Sequence, residues 1–147
     1  MKVSFKTFSE LTTKELYQIL QLRSEVFVVE QNCVYQDIDG KDEKAIHIIG
    51  VVQNKIVAYS RCFKPGEYFK EASVGRVVVK KTERKLKRGN QIMIHSIKAI
   101  EKLFQTKTII ISAQSHLIPF YNNLGFYSAG NEYLEDGIPH IEMIKNK

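Results

Sequence analysis

The sequence predicts an α+β fold, a mixed sheet with helices on its faces. Three observations lead there: β-branched strand segments, helical segments with apolar stripes or caps, and their order, β-α-loop-β-β-β-α-β-α-β-β. At 147 residues, 44% hydrophobic and 26% charged, the chain has the size and composition of a single ordinary domain spanning 1–147.

Lys2 to Phe8 alternates apolar and polar residues and opens the fold as a strand. Thr12-Thr13-Lys14-Glu15 is a capping box for a first helix, whose apolar face is Leu16, Ile19, Leu20, Val26 and Phe27. Arg23 falls on that face, so its guanidinium is expected to be paired with a carboxylate. From Gln31 to Glu43 periodicity gives way to Asn, Asp and Gly, a loop long enough to suggest a functional role. Its Asp37, Asp39, Asp42 and Glu43 are expected either to keep it soluble or to attract a cationic amine.

Ile46 to Val52 and Ile56 to Phe63 read as an antiparallel hairpin about Gln53-Asn54-Lys55, which Pro65-Gly66 ends. Ala72 to Lys80 is the next strand, and Gly75 inside it points to a bulge. A helix from Arg88 to Phe104 follows, on the stripe Met93, Ile97, Ile100 and Phe104. Thr108 to Ala113 is a buried strand. Ser115 is the expected cap of a further helix through Leu124, with Pro119 tolerated near its start and Gly125 supplying a left-handed C-terminal cap. Phe126 to Leu134 and His140 to Ile144 close the chain as a hairpin around Glu135-Asp136-Gly137.

Cys33 and Cys62 are the only cysteines and have no ligand-pair spacing, so neither a disulfide framework nor a metal site is expected. Cys33 lacks an activating neighbour and is not expected to act as a nucleophile. The N-terminal residues lack the apolar core of a signal peptide, and no apolar run reaches the roughly 20 residues of a membrane span. A cytoplasmic location, away from the membrane, is the expectation.

The net charge of +6 favours anionic ligands, and the excess is local, concentrated between Lys80 and Arg88. There the strand Val77-Val78-Val79 runs through a turn holding Arg84, Lys85, Leu86, Lys87 and Arg88 into the helix that begins near Gly89 and Asn90. Such a turn presents the free N–H groups of the helix's first turn to whatever lies in front of them, a ready site for phosphate. The same run also fits a solvated surface or a nucleic-acid backbone, but no aromatic residue lies within it to stack on bases.

The element order, Val77-Val78-Val79 ahead of Arg84, and Phe120-Tyr121-Asn122-Asn123-Leu124-Gly125-Phe126 downstream together resemble the GNAT superfamily of acetyl-CoA-dependent N-acetyltransferases. Within it the chain resembles the ElaA-type group, through the segments Leu22 to Gln31, Asp37-Ile38-Asp39-Gly40, Gly75 to Val79 and Glu135 to His140. The resemblance covers nearly the whole chain. It implies a mostly antiparallel sheet whose central strand pair splays apart, with the pantetheine arm of acetyl-CoA lying in the gap against Val77, Val78 and Val79 like an added strand. A backbone N–H near Val78 or Val79 would face the thioester carbonyl. It also implies that Arg84, Lys85, Leu86, Lys87, Arg88, Gly89 and Asn90 hold the pyrophosphate and that Gln114 contacts the cofactor arm. The phosphate loop departs from the family pattern at Lys87, where Gly is usual.

By the same resemblance Tyr121 is the general acid that returns a proton to the CoA thiolate, and Glu30 and His140 are the candidate bases for the attacking amine. A phenol of pKa about 10 against a thiol of about 8.5 makes that transfer uphill by roughly 2 kcal/mol. The implied partner is a small-molecule or peptide amine, with neither nucleic acid nor a membrane required and a homodimer compatible with the fold. The rival classes are a CoA-binding sensor without turnover and a nucleic-acid binder using Lys80 to Arg88.

Overall fold

The computed structural model describes residues 1–147. Seven strands form one sheet: β1 (Lys2–Thr7), β2 (Ile46–Val52), β3 (Lys55–Phe63), β4 (Ala72–Val79), β5 (Ile109–Gln114), β6 (Tyr127–Glu135) and β7 (Ile138–Lys145). Their order across the sheet is β1-β2-β3-β4-β5-β7-β6. Every neighbouring pair is antiparallel except β4 and β5, which are parallel and touch only through Ala72 with Ile109 and Ser73 with Ile110. Beyond those two pairs the strands part. The splayed centre expected from the sequence is present.

The three helices are α1 (Thr13–Arg23), α2 (Arg88–Phe104) and α3 (Ile118–Asn122). Thr12 caps α1 as its sequence predicts: its hydroxyl accepts from the Glu15 N–H at 3.0 Å, and the Glu15 carboxylate accepts from the Thr12 N–H at 2.9 Å. Strand alternation assigns the helices to opposite faces. Ile19, Leu22 and Val26 pack on Ile49, Tyr59 and Val78, whereas Met93, Ile97 and Ile100 pack with Ile48, Ala58, Cys62 and Ile111. A hydrogen bond of 2.6 Å between Ser60 and Ser96 joins α2 to β3 within that second core.

Four boundaries differ from the sequence expectation. The α-helical turn of α1 ends at Arg23, and Ser24–Glu30 continues it in the wider π form, which rotates Phe27 and Glu30 toward the cleft described below. Ser115 caps nothing: it begins a tight 3-10 turn, Ser115–Leu117, before the one-turn α3, and its hydroxyl is buried without a partner. Both hairpin turns are shorter than expected, because Gln53-Asn54 and Asp136-Gly137 each place two successive residues at positive φ, the two-residue turn that suits strand twist. Gly125 lies at φ 92°, the left-handed geometry expected of a C-terminal cap.

Candidate active site

The gap between β4 and β5 opens into two adjoining cavities. The larger, about 880 Å³, is lined by Val77, Val78 and Val79 of β4, by Arg84, Lys85, Lys87, Arg88, Gly89 and Asn90 of the turn into α2, and by Glu30, Gln114 and Tyr121. The smaller, about 130 Å³, lies on the other side and is lined in part by Cys33, Tyr35, Arg76, Ser112, Glu135 and His140. Phe27, Gln31, Val77, Gln114, Leu117 and Tyr121 belong to both. Tyr121 therefore stands where they meet.

The basic turn is shaped by backbone as much as by charge. Lys85 and Lys87 lie at φ 68° and 57°, in the left-handed region where a Cβ is disfavoured. At Lys87 the left-handed turn forms without the Gly that the resemblance leads one to expect. Gln91 N–H bonds to Lys87 O at 3.1 Å, so the earlier N–H groups of α2 have no helical acceptor and point out of its N-terminus. A Cβ added at Gly89 would meet only ordinary contacts, 3.6 Å to Phe120 and 3.7 Å to Val79. Of the residues expected to hold a cofactor, Leu86 alone lies off the cavity wall, 55% exposed.

The open edge of β4 has a defined polarity. Lys80 N–H donates to Val57 O at 2.8 Å, so by the alternation of an antiparallel ladder the main-chain groups of Val78 face β3 and those of Val77 and Val79 face the gap. Arg84 Nε donates to Val79 O at 3.1 Å, in keeping with that outward direction. The free amide at this level is thus that of Val77 or Val79, not Val78.

Glu30 is not a free helix end. Both its oxygens accept from the Arg84 guanidinium, at 2.5 and 2.8 Å, and that contact holds its carboxyl below the usual carboxylate range. His140 is 7% exposed, with Nδ1 2.7 Å from Ile138 O and Nε2 3.2 Å from Glu135. A carbonyl can only accept, so Nδ1 carries a proton, and Nε2 faces the Glu135 carboxylate, which is likewise an acceptor. Tyr121 is buried at the cavity junction between Phe120 and Phe126, and burial pushes its phenol up to about 12.

The three aspartates of the acidic loop do neither of the things expected of them, whereas Glu43 is exposed. Asp42 Oδ1 accepts from Arg23 at 2.8 Å and from Arg61 at 2.9 Å; Asp39 accepts from Arg61 at 2.6 and 2.9 Å; Asp37 pairs with Arg23 at 2.9 Å and with Arg76 at 2.7 Å. Arg23 and Arg61 are almost wholly buried, and ions taken out of water are held only by such charged partners, although Arg61 Nε has none. Asp37, Asp39 and Asp42 are therefore consumed within the protein. The carboxylates on the smaller cavity are Glu135 and Asp136 of the β6–β7 turn.

Sequence reading missed Tyr35, Ser112, Glu135 and Leu117 as cavity residues. One signal was available: Ser112 and Gln114 are the alternate polar positions of an otherwise buried strand, and both face the gap.

A seven-stranded sheet that opens at a parallel pair, beside a helix N-terminus ringed with cations, defines the class of acyl-CoA-dependent acyltransferases. The chain belongs to the GNAT acetyltransferase family: the model of the acetyltransferase (GNAT) domain matches residues 8–147. It is 42% identical over 139 residues to Protein ElaA of Escherichia coli, covering 93% of this chain and 91% of that one. The crystal structure of an acyl-CoA N-acyltransferase from Pseudomonas aeruginosa superimposes with a TM-score of 0.92 at 39% identity over 99% of each chain. An aminoglycoside 6'-N-acetyltransferase complexed with coenzyme A shares the fold, at TM-score 0.72 and 17% identity over 99% of this chain and 96% of that one.

Proposed function

We propose that residues 1–147 form one catalytic domain that transfers an acetyl group from acetyl-CoA to a primary amine by direct attack. The observation that carries this reading is the meeting of the two cavities at Tyr121. The larger, with its cationic turn, suits the diphosphate and pantetheine of the coenzyme; the smaller suits an amine head group. Gly89 leaves backbone accessible to a phosphate, and Lys87 adds an ammonium where the usual Gly adds none.

In the step itself the amine nitrogen bonds to the thioester carbon, negative charge collects on the carbonyl oxygen, and the C–S bond then breaks. A main-chain amide of β4 stabilises that oxygen; a donor of this kind is typically worth about 3 kcal/mol. The attacking amine arrives as an ammonium of pKa about 10.4, neutral in roughly one molecule in a few thousand at pH 7. His140 in its neutral form takes its proton at Nε2, directly or through water, and the Glu135 carboxylate 3.2 Å away pairs with the imidazolium that results, while Glu30 serves instead to hold Arg84. Tyr121 gives its proton to the departing thiolate and is restored by the second proton that the nitrogen sheds as the amide forms. With the phenol near 12, that transfer is uphill by about 5 kcal/mol against an ordinary thiol, more than the sequence implied. The same buried setting destabilises the thiolate as well, which narrows the gap.

A release assay for free CoA across a panel of amines, with thermal stabilisation by acetyl-CoA measured alongside, tests the reading. Stabilisation together with amine-dependent release is the expected result. Stabilisation with no release on any amine would make the protein a CoA sensor, and salt-sensitive nucleic-acid binding that CoA does not displace would make it a nucleic-acid binder.

A further inference from the structure

Between Gly75 and Val78 the strand β4 changes phase. Arg61 pairs with Gly75 and Tyr59 with Val78, so Ser60 alone stands opposite both Arg76 and Val77. That extra residue is a β-bulge, and Gly75 marks it in the sequence. Side chains report the same shift: Ala72 and Val74 below the bulge pack on the α2 side, and so do Val77 and Val79 above it. Without the extra residue the amides of Val77 and Val79 would turn toward β3.

The bulge residue is not the glycine. Arg76 lies at φ 51°, a left-handed conformation that a residue with a Cβ adopts only when something holds it there. Its guanidinium is held: Nε lies 2.7 Å from Asp37 Oδ1, one terminal nitrogen donates to Asp37 O at 3.1 Å, and Tyr35 lies beneath it at 5.5 Å. Asp37 is fixed in turn by Arg23, whose Nε and terminal nitrogen donate to its carboxylate and carbonyl at 2.9 and 3.0 Å, and by Tyr35 Oη at 2.9 Å. Arg23 is fully buried at the end of α1. A continuous chain of contacts thus runs from the core through Asp37 to the point where β4 leaves β5.

We propose that Arg76, held by Asp37, is a positioning residue that locks the β4 bulge and so aims the Val77 amide at the carbonyl of a bound acyl-CoA. This rests on the acyl-CoA reading above and deepens it. The role explains an arginine at a backbone position that glycine would fill with less strain, and it gives the loop aspartate a task that its sequence did not suggest.

The Arg76→Gly variant separates backbone from side chain, because glycine accepts the left-handed angle while removing the contacts to Asp37. Free CoA lacks the acyl carbonyl, so calorimetric titration with CoA and with acetyl-CoA isolates the amide–carbonyl contact. The wild-type protein should bind acetyl-CoA about fivefold more tightly than CoA, the effect of one hydrogen bond. In Arg76→Gly that preference should vanish with CoA affinity within about twofold of wild type, so acetyl-CoA affinity should fall about fivefold, and kcat should fall as well. An unchanged preference in the variant, or equal affinities in the wild type, overturns the inference. Loss of CoA affinity together with the thermal midpoint also overturns it, since the residue would then be merely structural. Failure of the wild type to bind either ligand would instead remove the acyl-CoA reading, and this inference with it.

Discussion

The Arg84 guanidinium bonds to both carboxylate oxygens of Glu30 and, through Nε, to Val79 O, so one side chain ties the β4–α2 turn to the end of the first helical segment. Both partners line the larger cavity. Glu30→Gln removes the only acidic side chain on that cavity's wall and frees Arg84 for an anion. CoA should bind several-fold more tightly to this variant, with a steeper loss of affinity as salt rises, measured by calorimetry at two ionic strengths. Weaker binding would mean that Glu30 organises the site instead of competing with the phosphates.

Tyr121→Phe keeps the ring packed against Phe120 and Phe126 and removes only the hydroxyl. The expected outcome is a fall in kcat of about a hundredfold, within the usual range for a general acid, with KM for acetyl-CoA nearly unchanged. Steady-state kinetics at saturating amine would show it. A variant as fast as wild type would return Tyr121 to a packing role.

Lys87→Gly relieves a left-handed residue at φ 57°. The fold should gain about 1 kcal/mol, a rise of a few degrees in Tm by scanning calorimetry. CoA affinity should drop modestly at low salt, and the difference should shrink at high salt as the lost ammonium is screened. Tighter CoA binding at every salt concentration would show that the side chain obstructs the phosphates.

Acid should destabilise the fold in two stages. Burial holds the His47 imidazole below its ordinary value, between Tyr59 Oη at 2.6 Å and Asp42 O at 2.9 Å. The unfolded chain therefore binds the extra proton first, and stability starts to fall as pH drops below about 6.5. For Asp39 and Asp42, burial works against ionisation, but the bonds from Arg61 and Arg23 outweigh it and hold both carboxyls below the usual range. Their contribution is fully present above the unfolded value near 4 and is lost as pH falls below it. Urea melts from pH 8 to pH 3 should show a gentle decline and then a steep one. In His47→Gln the gentle stage should disappear.

Local patterns carried much of the fold. The capping box at Thr12, the stripe through Met93, Ile97 and Ile100 and the positive φ of Gly125 are each set by neighbours a few residues apart, so the sequence displays them directly; Gly75 marked the bulge, but the residue at positive φ there is Arg76, in contact with distant Asp37. The turn from Val79 to Asn90 was legible for the same reason, since strand, cations and helix start are contiguous. Ser115 misled because a hydroxyl before a helical run is a cap only if the backbone lets it reach an N–H, and the 3-10 turn between them prevents that.

Chain order and local pattern determined the α+β class and the basic turn between β4 and α2, because short-range propensity and spacing suffice for each, and the family followed from the resemblance of several segments. Only tertiary structure decided where the charges went. Arg23, Arg61 and Arg76 come from three different elements to meet Asp37, Asp39 and Asp42, and Arg84 finds Glu30 across 54 positions of sequence. Such pairings exist only after the backbone has brought distant residues together and excluded water, which leaves a buried ion no partner but another side chain or the main chain.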